Sequence, residues 1–373
     1  MTRIRHNNKS EQLDFALLIT CLLCSLFGVI FSYTDSGLAS VFSYLKYICI
    51  ITLYAKKAKM SLPFFVPLLF YVFLGILSVI SPFSYSVGRM IVIGMVPMWL
   101  YILKNADIKK QYIKWVIAIL IFYIAYIMII LDKSQINPNQ VAFCFLLAFV
   151  NVYSLRILQL LSNRYFLPIS LLCLLGILLS GSRTSFMVFF ILFLSQYLQK
   201  FHKVALFFFV MCIIGTVTPY IYTYLADIYK TSHNEIIMDQ EIFSGREFVW
   251  NLIYYYFRDI NHFLYGGIDL WEWDKSYHNS LFDIWVDLGL ICLIVYVLIY
   301  TYYIRLFELS VSPKAYKVIY VICLSMIWGY FESGWFLGHA ISILFPILYI
   351  SSPKNNKSKV LRYENSNSRK WLS

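Results

Sequence analysis

Residues 115–131 read WVIAILIFYIAYIMIIL. The run holds no charge, no glycine and no proline. With Tyr112–Lys114 ahead of it, it is long enough to cross hydrocarbon, which takes about 20 mostly apolar residues in a helix. Comparable runs start near Leu13, Leu38, Leu62, Val87, Gln140, Phe166, Thr184, Val204, Ser280, Ala315 and Trp335, so twelve spans are expected. The seventh and eighth are separated only by Ser180-Gly181-Ser182-Arg183. Continuous apolar runs exclude a membrane β-barrel, whose strands alternate polar and apolar residues over about 10 positions. The expected fold is an all-α polytopic integral membrane protein, one transmembrane domain over 1–373. One long outside loop, at about 226–278, joins helices 9 and 10.

Composition agrees. Sixty per cent of the 373 residues are hydrophobic, 13% are charged, and the mean hydropathy is +0.70. A soluble domain is typically about 45–50% apolar and about 25% charged. This excludes a soluble enzyme, a disordered chain and a nucleic-acid binder. The first span reads as a signal anchor, since no small-x-small cleavage site follows it. No tandem repeat is evident. All eight cysteines fall inside the spans, so neither a disulfide framework nor a thiolate metal site is expected.

The net charge of +12 has a simple source. With the N-terminus cytoplasmic, the inside segments hold Arg3, Arg5 and Lys9, then Lys56, Lys57 and Lys59, then Lys104, Lys109, Lys110 and Lys114. Arg156, Arg164, Lys200, Lys203, Arg305, Lys314 and Lys317 follow, and the tail adds six more. Every inside turnaround is basic, the positive-inside pattern. Both termini are then cytoplasmic. Eight cations are left over: Lys46, Arg89, Lys133, Arg183, Lys230, Arg246, Arg258 and Lys275.

Three outside stretches share a design. Ser182-Arg183-Thr184-Ser185 opens the eighth span, Ser244-Gly245-Arg246-Glu247 precedes the apolar run 248–257, and Ser280-Leu281-Phe282-Asp283 opens the tenth span. Ser244/Glu247 fits the S-x-x-E capping box and Ser280/Asp283 is a close variant. Each therefore reads as a helix N-terminus, where unpaired N–H groups and a partial positive charge accumulate. An arginine there is unfavourable unless an anion joins it, and phosphate is the commonest anion bound in this way. Arg183 and Arg246 are thus candidate anion ligands. The plain alternatives are a snorkelling anchor for Arg183, a surface ion pair with a loop acid for Arg246, and a capping or packing role for His278. His233 and His262 read as ordinary loop residues and His339 as an internal packing group about two turns into the last span. Arg89, near the outer end of the fourth span, is an ionisable residue in a span and so a candidate too.

The same residues carry a family resemblance. Leu179-Ser180-Gly181-Ser182-Arg183-Thr184 resembles the SGSR signature of the bacterial O-antigen ligase/polymerase family. Ser244-Gly245-Arg246, then Trp250, then Leu264-Tyr265-Gly266-Gly267, resembles a stretch of that family's large periplasmic loop. Tyr277-His278-Asn279-Ser280-Leu281 and Asp287-Leu288-Gly289-Leu290 resemble a further pair of elements, with Asp287 where glutamate is commoner. Asn137-Pro138-Asn139, opening the sixth span, is similar to another. The matches occur in the expected order over roughly half the chain.

The resemblance implies a glycosyltransferase of the bacterial inner membrane. It would transfer glycans from an undecaprenyl-diphosphate carrier at the periplasmic face, with no cofactor and no metal. Arg183 and Arg246 would bind the diphosphate and His278 would sit at the reaction centre as the catalytic residue. Arg89 and Lys275 are further possible phosphate contacts. Partners would be the lipid-linked donor and acceptor, membrane lipids and a chain-length regulator, with no nucleic acid. Two softer signs favour a polymerase over a ligase: an outside loop short for the family, and a chain rich in Ile, Phe, Tyr, Lys and Asn, the codon bias of surface-polysaccharide gene clusters. A transporter of lipid-linked sugar is the competing class. It would be expected to show inverted repeats and ionisable groups near the midplane.

Overall fold

The computed structural model describes residues 2–34, 36–106, 108–131, 138–195, 203–232, 236–237, 240–241, 246–268, 279–310, 313–332 and 339–349. Helices dominate. In chain order they are α1 (Thr2–Thr34), α2 (Ser36–Lys56), α3 (Leu62–Ile80), α4 (Val87–Asn105), α5 (Ile113–Leu131), α6 (Pro138–Ile157), α7 (Asn163–Ser180), α8 (Arg183–Leu194) and α9 (Val204–Ser232). The chain continues through α10 (Arg246–Tyr256), α11 (Ile260–Tyr265), α12 (Ser280–Ser310), α13 (Pro313–Gly329) and α14 (Ala340–Leu344). A 3-10 turn, Phe345–Tyr349, follows α14, and two antiparallel two-residue strands, Ile236–Ile237 and Gln240–Glu241, lie between α9 and α10.

The protein is an all-α polytopic membrane protein. Among the described residues nine helices are long and apolar enough to cross a bilayer. The eighth, eleventh and twelfth expected spans correspond to the shorter apolar helices Arg183–Phe193, Tyr316–Gly329 and Ala340–Tyr349. The expected loop is itself built. α9 runs on to Ser232, past the expected loop start at Ala226, and α10 and α11 lie within the loop. One side of α3 exposes Leu69, Val72, Ile76 and Val79 at helical spacing, the signature of a lipid-facing stripe. α6 is the opposite case, with every residue from Val141 to Leu155 buried. It is the central post of the bundle.

Several threonine hydroxyls on the spans are satisfied within their own helix. Thr52, Thr216 and Thr218 each donate to the carbonyl four residues back on their own helix. Deeper, Asn151 donates to Leu147 O and Ser342 O and accepts from the Tyr349 hydroxyl. That amide fastens the last short helix to the central post.

The two ends of the bundle differ. At one end the hydroxyl of Tyr101 donates to Lys57 O, Tyr303 donates to Pro63 O, and Lys104 donates to Leu306 O. Asp14 pairs with Lys56 and Lys57 there. This is the end of the basic turnarounds. The starts of α8, α10 and α12 lie at the other.

α12 is two helices joined end to end. Gly289 has φ 84° and ψ 168°, a conformation essentially restricted to glycine. The break leaves carbonyls without helical partners, and the loop after α11 meets them. Gly267 N–H donates to Asp287 O and Ile268 N–H to Val286 O. The approach is so close that a Cβ on Gly289 would fall 2.0 Å from Leu264 O. One on Gly266 would fall 2.5 Å from Gly289 N. The two glycine-bearing stretches are thus the two sides of one backbone contact. Gly289→Ala is expected to lower the thermal unfolding midpoint of the detergent-solubilised protein by several degrees. A backbone penalty of about 1–3 kcal/mol is compounded by the clash. Gly75→Ala, whose Cβ meets nothing within 4 Å, is the matched control and should leave the midpoint unchanged or raise it.

Candidate functional site

Three helix starts frame the end opposite the basic turnarounds. The first is α8. α7 ends at Gly181 in a left-handed conformation, and Ser182 caps α8 by accepting from Ser185 N–H. Ser185 Oγ accepts from the indole N–H of Trp328 at 3.1 Å, and the Trp328 ring stacks on Phe143 at 3.6 Å. The α7–α8 turn is therefore pinned to α13 and α6. Arg183, the first residue of α8, carries an exposed side chain. The capped helix start expected from the sequence is present, with the arginine directed away from the packed interior.

The second start is α10. Arg246 stands at its start among the described residues, where a helix start was expected. Its guanidinium NH2 lies 2.6 Å from Glu332 Oε1, and both side chains are largely withdrawn from solvent, at 13% and 5% exposure. Asn139 Nδ2 donates to the same Oε1 at 2.7 Å. So the arginine does pair with a protein carboxylate, and among the described residues that carboxylate is a buried one beyond α13. Trp250, one turn further along α10, is fully buried and packs edge-on to Tyr222 of α9.

The third start is α12, and here the sequence reading needs a correction. The cap is Asn279, one residue before the expected Ser280. Asn279 Oδ1 accepts from Leu281 N–H at 3.0 Å and Phe282 N–H at 2.9 Å. Its Nδ2 donates to Gly215 O and Tyr330 O. Ser280 Oγ donates instead to Glu332 O at 2.8 Å. An asparagine is as good a cap as a serine, and its second hand reaches two further helices. Gly215 permits this, because a Cβ there would fall 2.4 Å from the Tyr330 ring.

A second group lies one helix segment away. Arg89 Nε of α4 is 2.6 Å from Asp287 Oδ2 of α12. The Tyr85 hydroxyl donates to Tyr265 O, and the Trp285 indole donates to Phe263 O. His262 is more than an ordinary loop residue. Its Nδ1 donates to Gly266 O at 2.9 Å and its ring stacks on Phe83. Arg89 thus ties α4 to α12 two residues before Gly289. His339 precedes the first residue of α14, so it does not lie two turns into a helix. Its ring packs against Phe143 and Trp328.

His278 and Lys275 lie outside the described residues, as do Ser244, Gly245 and Asp274. His278 immediately precedes Asn279 in the chain. Sequence reasoning missed Glu332 and Tyr330. Glu332 is one acid at the end of an apolar stretch, and nothing local marks it.

The bundle and these helix starts define a multi-pass membrane protein with its polar frame at one end. Residues 168–297 match the family model described as O-antigen ligase. No curated protein and no solved structure matches the chain. The matched stretch includes Arg183, Arg246, Asn279 and the Gly266–Gly289 contact. It supports ligase/polymerase-type glycan transfer, and it does not separate ligase from polymerase. Asn139, Arg89 and Glu332 lie outside it.

Asn279→Ala should destabilise the protein even without substrate. It removes a helix cap worth about 1 kcal/mol and leaves two buried carbonyls short of a donor at about 1–3 kcal/mol each. A thermal midpoint equal to wild type in detergent would contradict the capping role.

Proposed function

We propose that the protein polymerises lipid-linked oligosaccharide repeat units of a bacterial surface polysaccharide. It acts in the inner membrane with both termini cytoplasmic, so that the polar frame faces the periplasm. The donor is a growing glycan on undecaprenyl diphosphate, and the acceptor is the non-reducing end of a new lipid-linked repeat. The observation that carries this reading is Arg246 at the start of α10, held beside the start of α12 within the stretch that matches the family.

The chemistry follows from charge. A hydroxyl oxygen of the acceptor attacks the anomeric carbon of the donor, and the bond from that carbon to the diphosphate oxygen breaks. Undecaprenyl diphosphate leaves with the electron pair. Its negative charge is stabilised by Arg183 and Arg246, each at a helix N-terminus where the dipole adds to the guanidinium. His278 takes the hydroxyl proton as general base. Direct displacement inverts the anomeric centre. Lys275 is a further phosphate contact from the same outside loop. Arg89, committed to Asp287, orients α12.

The ligase reading, transfer of the finished glycan to the lipid A core, draws on the description of the matching family. Deletion in the native host separates the two by lipopolysaccharide gel. A lost polymerase leaves one repeat on the core. A lost ligase leaves bare core with carrier-linked polymer. A lost transporter leaves bare core and no periplasmic polymer.

Two substitutions test the roles. Arg246→Ala should abolish polymer while the protein still inserts, and near-normal polymer from well-expressed protein would remove the diphosphate role. His278→Ala should lower turnover by about 100-fold or more, the usual share of a general base. If His278→Gln retains most activity, the side chain orients the acceptor and is not the base.

A further inference from the structure

The frame of the outer end meets at one residue. Glu332 Oε1 accepts from Arg246 of α10 and from Asn139 of α6, and its backbone carbonyl accepts from Ser280 of α12. Its side chain is 5% exposed. Burying a carboxylate costs several kcal/mol before any partner is counted. Two side-chain donors offset that here, and they stand in the first turns of two helices, where an anion is favoured. The protein has placed a fixed negative charge against the arginine that the proposed reaction needs for a mobile one.

A guanidinium has five N–H donors, and Glu332 engages it through NH2. A second anion at the other nitrogens would meet a cation already partly neutralised. A buried amide in place of the carboxylate could keep the same contacts but would hold the arginine more weakly, since its charge would lose its counter-charge. The carboxylate's charge therefore acts directly on Arg246.

We infer that Glu332 is a positioning residue that aims Arg246 and weakens its grip on the diphosphate, so that the spent carrier is released after transfer. This rests on the carrier reading above. The arginine is strong enough to stabilise the leaving group, and the carboxylate keeps it from retaining the product. Asn139 completes the arrangement by fixing the Glu332 oxygen that Arg246 shares.

The test uses the full chain in phosphatidylethanolamine/phosphatidylglycerol nanodiscs, with undecaprenyl diphosphate as the probe. Glu332→Gln keeps the shape and removes the charge. It should bind the probe about tenfold more tightly, within the usual range of coupling between neighbouring groups. In steady-state transfer kcat should fall and KM should fall with it, the pattern of slow product release. Glu332→Ala loses the aim as well, so kcat should drop further without tighter binding. If Glu332→Gln does not fold, Glu332→Asp retains the charge at a longer reach and should tighten probe binding by a smaller factor. Wild-type affinity and wild-type kcat in whichever of Glu332→Gln or Glu332→Asp folds would overturn the inference while leaving the carrier reading intact. Wild-type protein that binds no undecaprenyl diphosphate would overturn the carrier reading and the inference with it.

Discussion

Hydrocarbon offers no hydrogen bonds, so every backbone N–H and C=O at membrane depth must find a partner in the protein. The spans of this chain obey that rule by being helical. Its informative places are the few where the helix is interrupted. At the Gly289 break the freed carbonyls of Val286 and Asp287 are met by Ile268 and Gly267. At the start of α12 the free N–H groups are met by Asn279, which also reaches the carbonyls of Gly215 and Tyr330. At the α7–α8 turn Ser182 does the work. These repairs lie toward one end of the bundle, and together they build a rigid polar frame there.

Electrostatics then acts within that frame. Arg246 sits with the dipole of α10 against it, and Glu332 relieves the conflict. Arg89 and Asp287 form a pair of a different kind, more open to solvent at 38% and 17% exposure. Such a pair contributes little to stability by itself, and its value is in orienting α4 against the outer half of α12. One ion pair therefore ties the start of α10 to the residue beyond α13, and the other ties α4 to α12.

The spans were legible because membrane crossing imposes a length and an apolar content that composition alone reveals. The two arginines at helix starts were legible because Ser182-Arg183-Thr184-Ser185 and Ser244-Gly245-Arg246-Glu247 read as helix N-termini, and helix starts are locally coded. The register at α12 was not. Both Asn279 and Ser280 satisfy the capping rule, and the choice was made by Gly215 and Tyr330, which lie 64 and 51 residues away in the chain. Glu332 was invisible for the same reason. Its partners Arg246 and Asn139 are 86 and 193 residues distant, and a lone acid after an apolar run has no periodicity to betray it. Arg89 was flagged by its charge, and its pairing with Asp287 of a distant helix had no local sign. The eighth, eleventh and twelfth spans were legible as apolar runs, and among the described residues they are shorter helices.

The break at Gly289 has a mechanical consequence. Residues 280–288 are bonded to the loop through backbone amides and to Glu332 through Ser280, whereas residues 290–310 lie among the spans. The two halves share a covalent chain but not a continuous ladder of hydrogen bonds. A change in tilt of residues 290–310 to suit a thicker or thinner bilayer therefore need not be carried into residues 280–288. The start of α12 has holds of its own, on Glu332, Gly215 and Tyr330.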